Sequence, residues 1–257
     1  MNPSKLGPFV FAGKTALVTG GSRGIGGVIS RRLAAQGAHV FINYRDDDRS
    51  AEGTEAEIKR AEGSCELVKA NLLHPEAIRE LFERVATRGG LDILVHNAAL
   101  GSFKSVMQLR SNQWDLSLNI NARALLLCAQ EASKLMGAQG GKIVSISSLG
   151  SQRVVSEYGA IGVSKAALES LTRYLAVELA ARRINVNAVS AGVVDSPTIR
   201  KHPRYRELHD HILAQTPAGR LGTAEDIAGV VLFLCSSLSD WICGQTIIAD
   251  GGMSLTL

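Results

Sequence analysis

The stretch Thr15-Ala-Leu-Val-Thr19, running straight into Gly-Gly-Ser-Arg-Gly-Ile-Gly26 and a helical pattern from Ile25 to about Gln36, constrains this chain more than any other. A short apolar run closed by glycines reads as a buried strand, and apolar residues at helical spacing after it supply the helix of a strand–helix–strand unit. The alternation continues to the end. Strand patterns fall at 39–43, 65–70, 91–96, 142–147, 184–189 and 245–249, and helical ones at 50–62, 76–88, 112–136, 158–181 and 224–236. Continuous apolar strands are buried on both faces, so the pattern predicts an α/β fold: a doubly wound parallel sheet of seven strands, helices on both faces, right-handed crossovers. We expect residues 1–13 to form an N-terminal tail and residues 14–257 a single domain, long enough to bury such a sheet.

In a Rossmann-type sheet ligands bind beyond the carboxyl ends of the strands, where the glycine turn lies. Glycine tolerates positive φ and close backbone approach, and the helix N-terminus behind it offers free N–H groups and a partial positive charge, so a dinucleotide pyrophosphate fits. The candidate contacts are Gly20, Ser22, Arg23, Gly24, Ile25 and Gly26. At the end of the second strand an acidic residue would bind a ribose 2′-hydroxyl, but the chain reads Asn43-Tyr44-Arg45. Arg45 with Arg23 suits a 2′-phosphate instead, which predicts NADPH, the alternative being two solvated arginines. Asn71 with Leu72, and Asn97 with Ala98, close the third and fourth strands and are further candidates. Residues of the same types also serve as plain turn formers there.

Composition excludes several classes. The net charge of +4 is spread along the chain without the Lys/Arg runs of a nucleic-acid arm. Cys65, Cys128, Cys235 and Cys243 form no CxxC pair and lie mostly in apolar runs, which reads as reduced thiols in a cytoplasmic protein with no metal site. Pro3 and Pro8 interrupt the start, and no apolar run reaches the ~18 residues of a membrane span, so we expect neither signal peptide nor membrane anchor.

Tyr158 and Lys165 stand seven residues apart at the start of a long helical pattern, which would place both on one helix face roughly 10 Å apart along the axis. A nearby ammonium favours phenolate, so the pair is expected to lower the tyrosine pKa and suit it to proton transfer.

From Lys14 to Gly252 the chain resembles the short-chain dehydrogenase/reductase family, on Thr19 to Gly26, Asn97-Ala-Ala99, Asn121 after Trp114, Ile146-Ser-Ser148, Ser164-Lys-Ala-Ala, Val186-Asn-Ala-Val189 and Asp250-Gly-Gly252. The resemblance implies roles for Lys165 on the nicotinamide ribose, Asn121 on a proton-relay water, Ser148 on the substrate oxygen, and Gly192 and Val194 against the cofactor. It also implies tetramers formed through the helices at 112–136 and 158–181. Two departures stand out: Ala191-Gly192 replaces the usual Pro-Gly, and Ile161 occupies the place of the usual tyrosine, four residues before the lysine. Tyr158 gives Tyr-x6-Lys, similar to enoyl-thioester reductases. Asn119-Ile-Asn-Ala, Ser145 to Ser151, Gly162 to Glu169 and Gly244 to Ile248 are similar to the NADPH-dependent enoyl-acyl-carrier-protein reductase III (FabL-type) branch. In an enoyl thioester the charge develops on an oxygen two bonds further from the hydride acceptor than in a ketone, so a proton donor set back by three residues, about 4.5 Å of helix, is suited to it.

The expected activity is therefore NADPH-dependent reduction of a trans-2-enoyl thioester on acyl-carrier protein or CoA. The alternatives are a carbonyl or hydroxyl oxidoreductase using Tyr158, and a silent NADPH-binding protein. A lid is expected at 196–216, where Arg200, Lys201, His202, Arg204, Arg206, His209 and His211 would attract an anionic carrier or form only a solvated loop.

Overall fold

Strand residues alternate across the sheet and both faces are covered: in β1 (Thr15–Thr19), Ala16 and Val18 enter one apolar core and Leu17 the other. The computed structural model describes residues 10–195 and 205–256, without the side chains of 205–208. The remaining strands are β2 (His39–Tyr44), β3 (Ser64–Lys69), β4 (Ile93–His96), β5 (Gly141–Ser148), β6 (Ile184–Ala191) and β7 (Thr246–Ala249). All pairs are parallel, in the order β3-β2-β1-β4-β5-β6-β7. The chain reverses its direction of winding between β1 and β4, so their connections diverge and leave a cleft at the carboxyl edge.

The helices are α1 (Gly24–Ala35), α2 (Asp48–Arg60), α3 (Pro75–Ala86), α4 (Ser111–Leu118), α5 (Ala124–Leu135), α6 (Gly159–Leu179), α7 (Tyr205–Gln215) and α8 (Ala224–Cys235). Ile29 and Leu33 of α1, Ile58 of α2, and Val231 and Leu232 of α8 fill one core. Ile78 and Leu81 of α3, Leu125 and Cys128 of α5, and Leu168 and Leu175 of α6 fill the other. Among the described residues no helix is long and apolar enough to cross a membrane.

Two expectations need correction. Phe11, assigned to the tail, is buried in the core, and its N–H donates to the Gln36 carbonyl at 2.8 Å. The helix expected at 112–136 is broken by a π turn over Asn119–Arg123. There the Asn121 side chain donates to the Leu100 carbonyl at 3.0 Å and accepts from its N–H at 3.1 Å, a tertiary pairing that explains a local widening. The expected lid contains α7, whose Ile212 is buried. Arg200, Lys201, His202 and Arg204 lie outside the described residues, as does the side chain of Arg206.

Candidate active site

The glycine turn is a cradle built by close approach. Gly20 and Gly24 hold φ of 61° and 55°, a region that L side chains enter at a cost. A Cβ on Gly26 would stand 2.2 Å from the Gly20 carbonyl oxygen and 2.4 Å from Asn97 Nδ2. Asn97 Nδ2 donates to the Thr19 and Gly20 carbonyls at 3.1 and 2.9 Å, so this residue, expected to contact a cofactor, is first a strut that holds the turn. Thr19 Oγ1 accepts from the N–H groups of Asn97 and Ala98 and fixes the end of β4 to the same turn. Ser22 is buried and its carbonyl receives Thr54 Oγ1, while Ile25 packs on the core. Both support the turn from beneath.

An anion fits this cradle. Asp47 and Thr223 cap α2 and α8 with their own side chains, whereas α1 has neither a side-chain cap bond nor an acid in its first turn. Its leading N–H groups keep their positive character for a ligand. On the rim, Arg23 pairs with Asp47 at 3.6 Å and Arg45 with its neighbour Asp46. Exposed pairs of this kind contribute little, so both guanidinium groups can exchange partners for a phosphate. Across the rim Asn71 Oδ1 accepts from the Leu73 N–H as a turn former. Leu72 is buried in the core, which leaves only its backbone for a ligand.

At the other end of the cleft the groups gather on the end of β5. Lys165 is buried and its Nζ donates to the Ile146 carbonyl at 2.7 Å; the Tyr158 hydroxyl donates to Ser148 Oγ at 3.3 Å. Ile146 and Ser148 are two residues apart, about 6–7 Å along a strand, so phenol and ammonium reach one short edge. Tyr158 does not ride on the helix as expected. It is the N-cap of α6, at φ −105° and ψ 6°, after Glu157 at φ 57°, and its ring lies against Gly150 with Phe103 5.8 Å away. Its pKa is also corrected: burial pushes the phenol above its usual value, and the Ser148 bond only partly offsets this. Burial draws the Lys165 ammonium down to about 8, opposed by the charge of Glu169.

Asn121 lies fully buried and donates to Ser164 Oγ at 2.8 Å, beside Lys165 in sequence. Ile161 is buried too, and a Cβ on Gly101 would stand 2.2 Å from its Cγ1. The position four before the lysine is thus apolar and filled. Gly192 approaches Asp250 so closely that a Cβ would lie 2.8 Å from its Cα, and it lines a cavity with Val194, Thr216, Arg220 and Asp250. Ala191 lies opposite Ala249 in the register of β6 with β7, and the adjoining Gly192 N–H donates to the Ala249 carbonyl at 3.0 Å.

Two buried ionisable groups were not foreseen. His96 ends β4 with Nδ1 3.4 Å from Thr19 Oγ1. Because that oxygen already accepts two N–H groups, its own proton is assigned to Nδ1, which puts the imidazole N–H on Nε2. Burial and then the Lys165 charge hold His96 at about 3, so it stays neutral. Glu169 follows Lys165 by one helical turn, an i, i+4 spacing that was legible but was not weighed.

Residues 20–254 match the family described as Enoyl-(Acyl carrier protein) reductase. The chain is 40% identical over 245 residues to 1-cyclohexenylcarbonyl-CoA reductase of Streptomyces collinus, covering 94% of this chain and 87% of that protein. It is 35% identical over 247 residues to a 3-oxoacyl-[acyl-carrier-protein] reductase of Staphylococcus aureus, covering 93% and 98%. A short chain dehydrogenase from Burkholderia cenocepacia J2315, solved in complex with NADP, superposes with a TM-score of 0.89 at 36% identity, covering 95% and 99%. The fold and site define an oxidoreductase built on a nucleotide-binding sheet. The chain belongs to the short-chain dehydrogenase/reductase family.

Proposed function

We propose that this protein reduces the carbon–carbon double bond of a trans-2-enoyl thioester, carried on CoA or acyl-carrier protein, with NADPH. One observation carries the reading: the position four before Lys165 is Ile161, buried against Gly101, while the Tyr158 hydroxyl is seated on Ser148. A bound nicotinamide would supply the hydride. Tyr158, with its pKa raised, keeps its proton at neutral pH and delivers it to the thioester oxygen as charge develops there. Ser148 orients that oxygen, Lys165 holds the cofactor ribose, and Asn121 anchors the chain beneath them. The similarity to the cyclohexenylcarbonyl-CoA reductase supports this reading.

Similarity to the 3-oxoacyl reductase favours a second reading, ketone reduction with Tyr158 as the acid. Following NADPH absorbance with crotonyl and acetoacetyl thioesters side by side separates the two. We expect oxidation with the enoyl substrate alone. Turnover of the ketone alone would replace the first reading by the second, and turnover of neither across several chain lengths would remove both.

Arg45 and Arg23 support the choice of NADPH. A charge-assisted bond contributes about 1.5–3 kcal/mol, so Arg45→Ala should weaken NADPH binding roughly ten- to hundredfold and leave NADH binding nearly unchanged. Fluorescence titration with both nucleotides reads this directly. Equal losses for the two would remove the assignment.

A further inference from the structure

We propose that Glu169 is a positioning residue: it ties the turn that carries Ser148 to the helix that carries Lys165, and it is the counter-charge of the Lys165 ammonium. The inference rests on the reading of Ser148 and Lys165 as site residues. Glu169 is 6% exposed on the inner side of α6. Its Oε1 accepts from Ser147 Oγ at 2.5 Å and from Ser151 Oγ at 2.6 Å, and its Oε2 from Gln152 Nε2 at 3.4 Å. These donors bracket Ser148, one residue before it on β5 and at the end of the short turn Leu149–Ser151 after it.

A buried carboxylate left without donors is costly, and here three uncharged groups solvate it in place of water. None of the three is a cation. The negative charge therefore remains available to the ammonium one helical turn earlier, whose protonated form it favours. Glu169 on its own helix and His96 on β4 interact electrostatically with Lys165, and the Tyr158 phenol, whose pKa is raised by burial, shares the end of β5 with it. His96 is neutral, so it offers the ammonium no compensation.

Titrating Lys165 by NMR in protein labelled with 13C-lysine, its signal assigned by comparison with Lys165→Arg, tests the proposal without any substrate. Glu169→Gln keeps the shape and an acceptor oxygen but removes the charge, so the Lys165 midpoint should move to lower pH by about one unit or more. The sign follows because loss of a facing anion disfavours the charged lysine, which then gives up its proton earlier as pH rises. Glu169→Asp keeps the charge but draws it back, so the midpoint should move the same way by less. Amide exchange at Gly150 and Ser151 should quicken in both. A midpoint unmoved in whichever of the two variants folds overturns the counter-charge, and unchanged exchange overturns the tie. Where the wild type also reduces an enoyl thioester, the alkaline limb of its rate profile should move to lower pH in Glu169→Gln. A protein inactive toward enoyl thioesters still answers the titration, so failure of the proposed activity and failure of this inference remain separate results.

Discussion

Tyr158→Phe should reduce NADPH-dependent turnover of an enoyl thioester by two to four orders of magnitude, the usual contribution of a positioned general acid. The ring, its seat against Gly150 and its contact with Phe103 all survive the change, and only the hydroxyl facing Ser148 is lost. Nucleotide affinity should stay within about twofold, because the lost bond is a long one, about 1 kcal/mol or less, and lies away from the glycine turn. The expected signature is thus a fall in kcat without a matching rise in the Kd for NADPH, read by steady-state kinetics beside fluorescence titration. Activity retained within tenfold would show that another group delivers the proton.

Gly26→Ala should be as damaging for a different reason. The added methyl would meet the Gly20 carbonyl oxygen and Asn97 Nδ2, the two atoms whose bond of 2.9 Å closes the turn. Neither is the free end of a flexible side chain, because Asn97 is also held by the Thr19 carbonyl. The start of α1 must therefore swing outward, at a cost of about 1–3 kcal/mol for overpacking. The N–H groups that would grip a pyrophosphate move with it. We expect a lower Tm together with loss of NADPH binding by tenfold or more. Unchanged melting and affinity would mean that the cradle is looser than its contacts imply.

The sheet was legible because strands buried on both faces leave an unbroken apolar signature, and the glycine turn because few residues permit its conformation. Tyr158 and Lys165 were legible as a pair, but not in their geometry. The left-handed Glu157 takes Tyr158 off the helix, and nothing in the local residues announces it. The expected lowering of the tyrosine pKa also failed on tertiary grounds. Lys165 spends its shortest bond on the Ile146 carbonyl, and burial outweighs the help from Ser148. The π turn escaped detection because Asn121 answers to Leu100, twenty-one residues away, while its neighbours keep ordinary helical spacing. Helix α7 was missed because its run of charged residues and histidines read as a polar insertion, although Ile212 is buried.

The fit of Ile161 into the space above Gly101 has a further consequence, which concerns the order in which this chain could change. No side chain can appear at 101 while the isoleucine stands where it does, since even a methyl would overlap it. A side chain at 101 therefore requires Ile161 to shift or to be replaced, and substitutions at 101 alone are expected to lower the Tm. The two positions are sterically coupled, so selection for new specificity should recover them altered together.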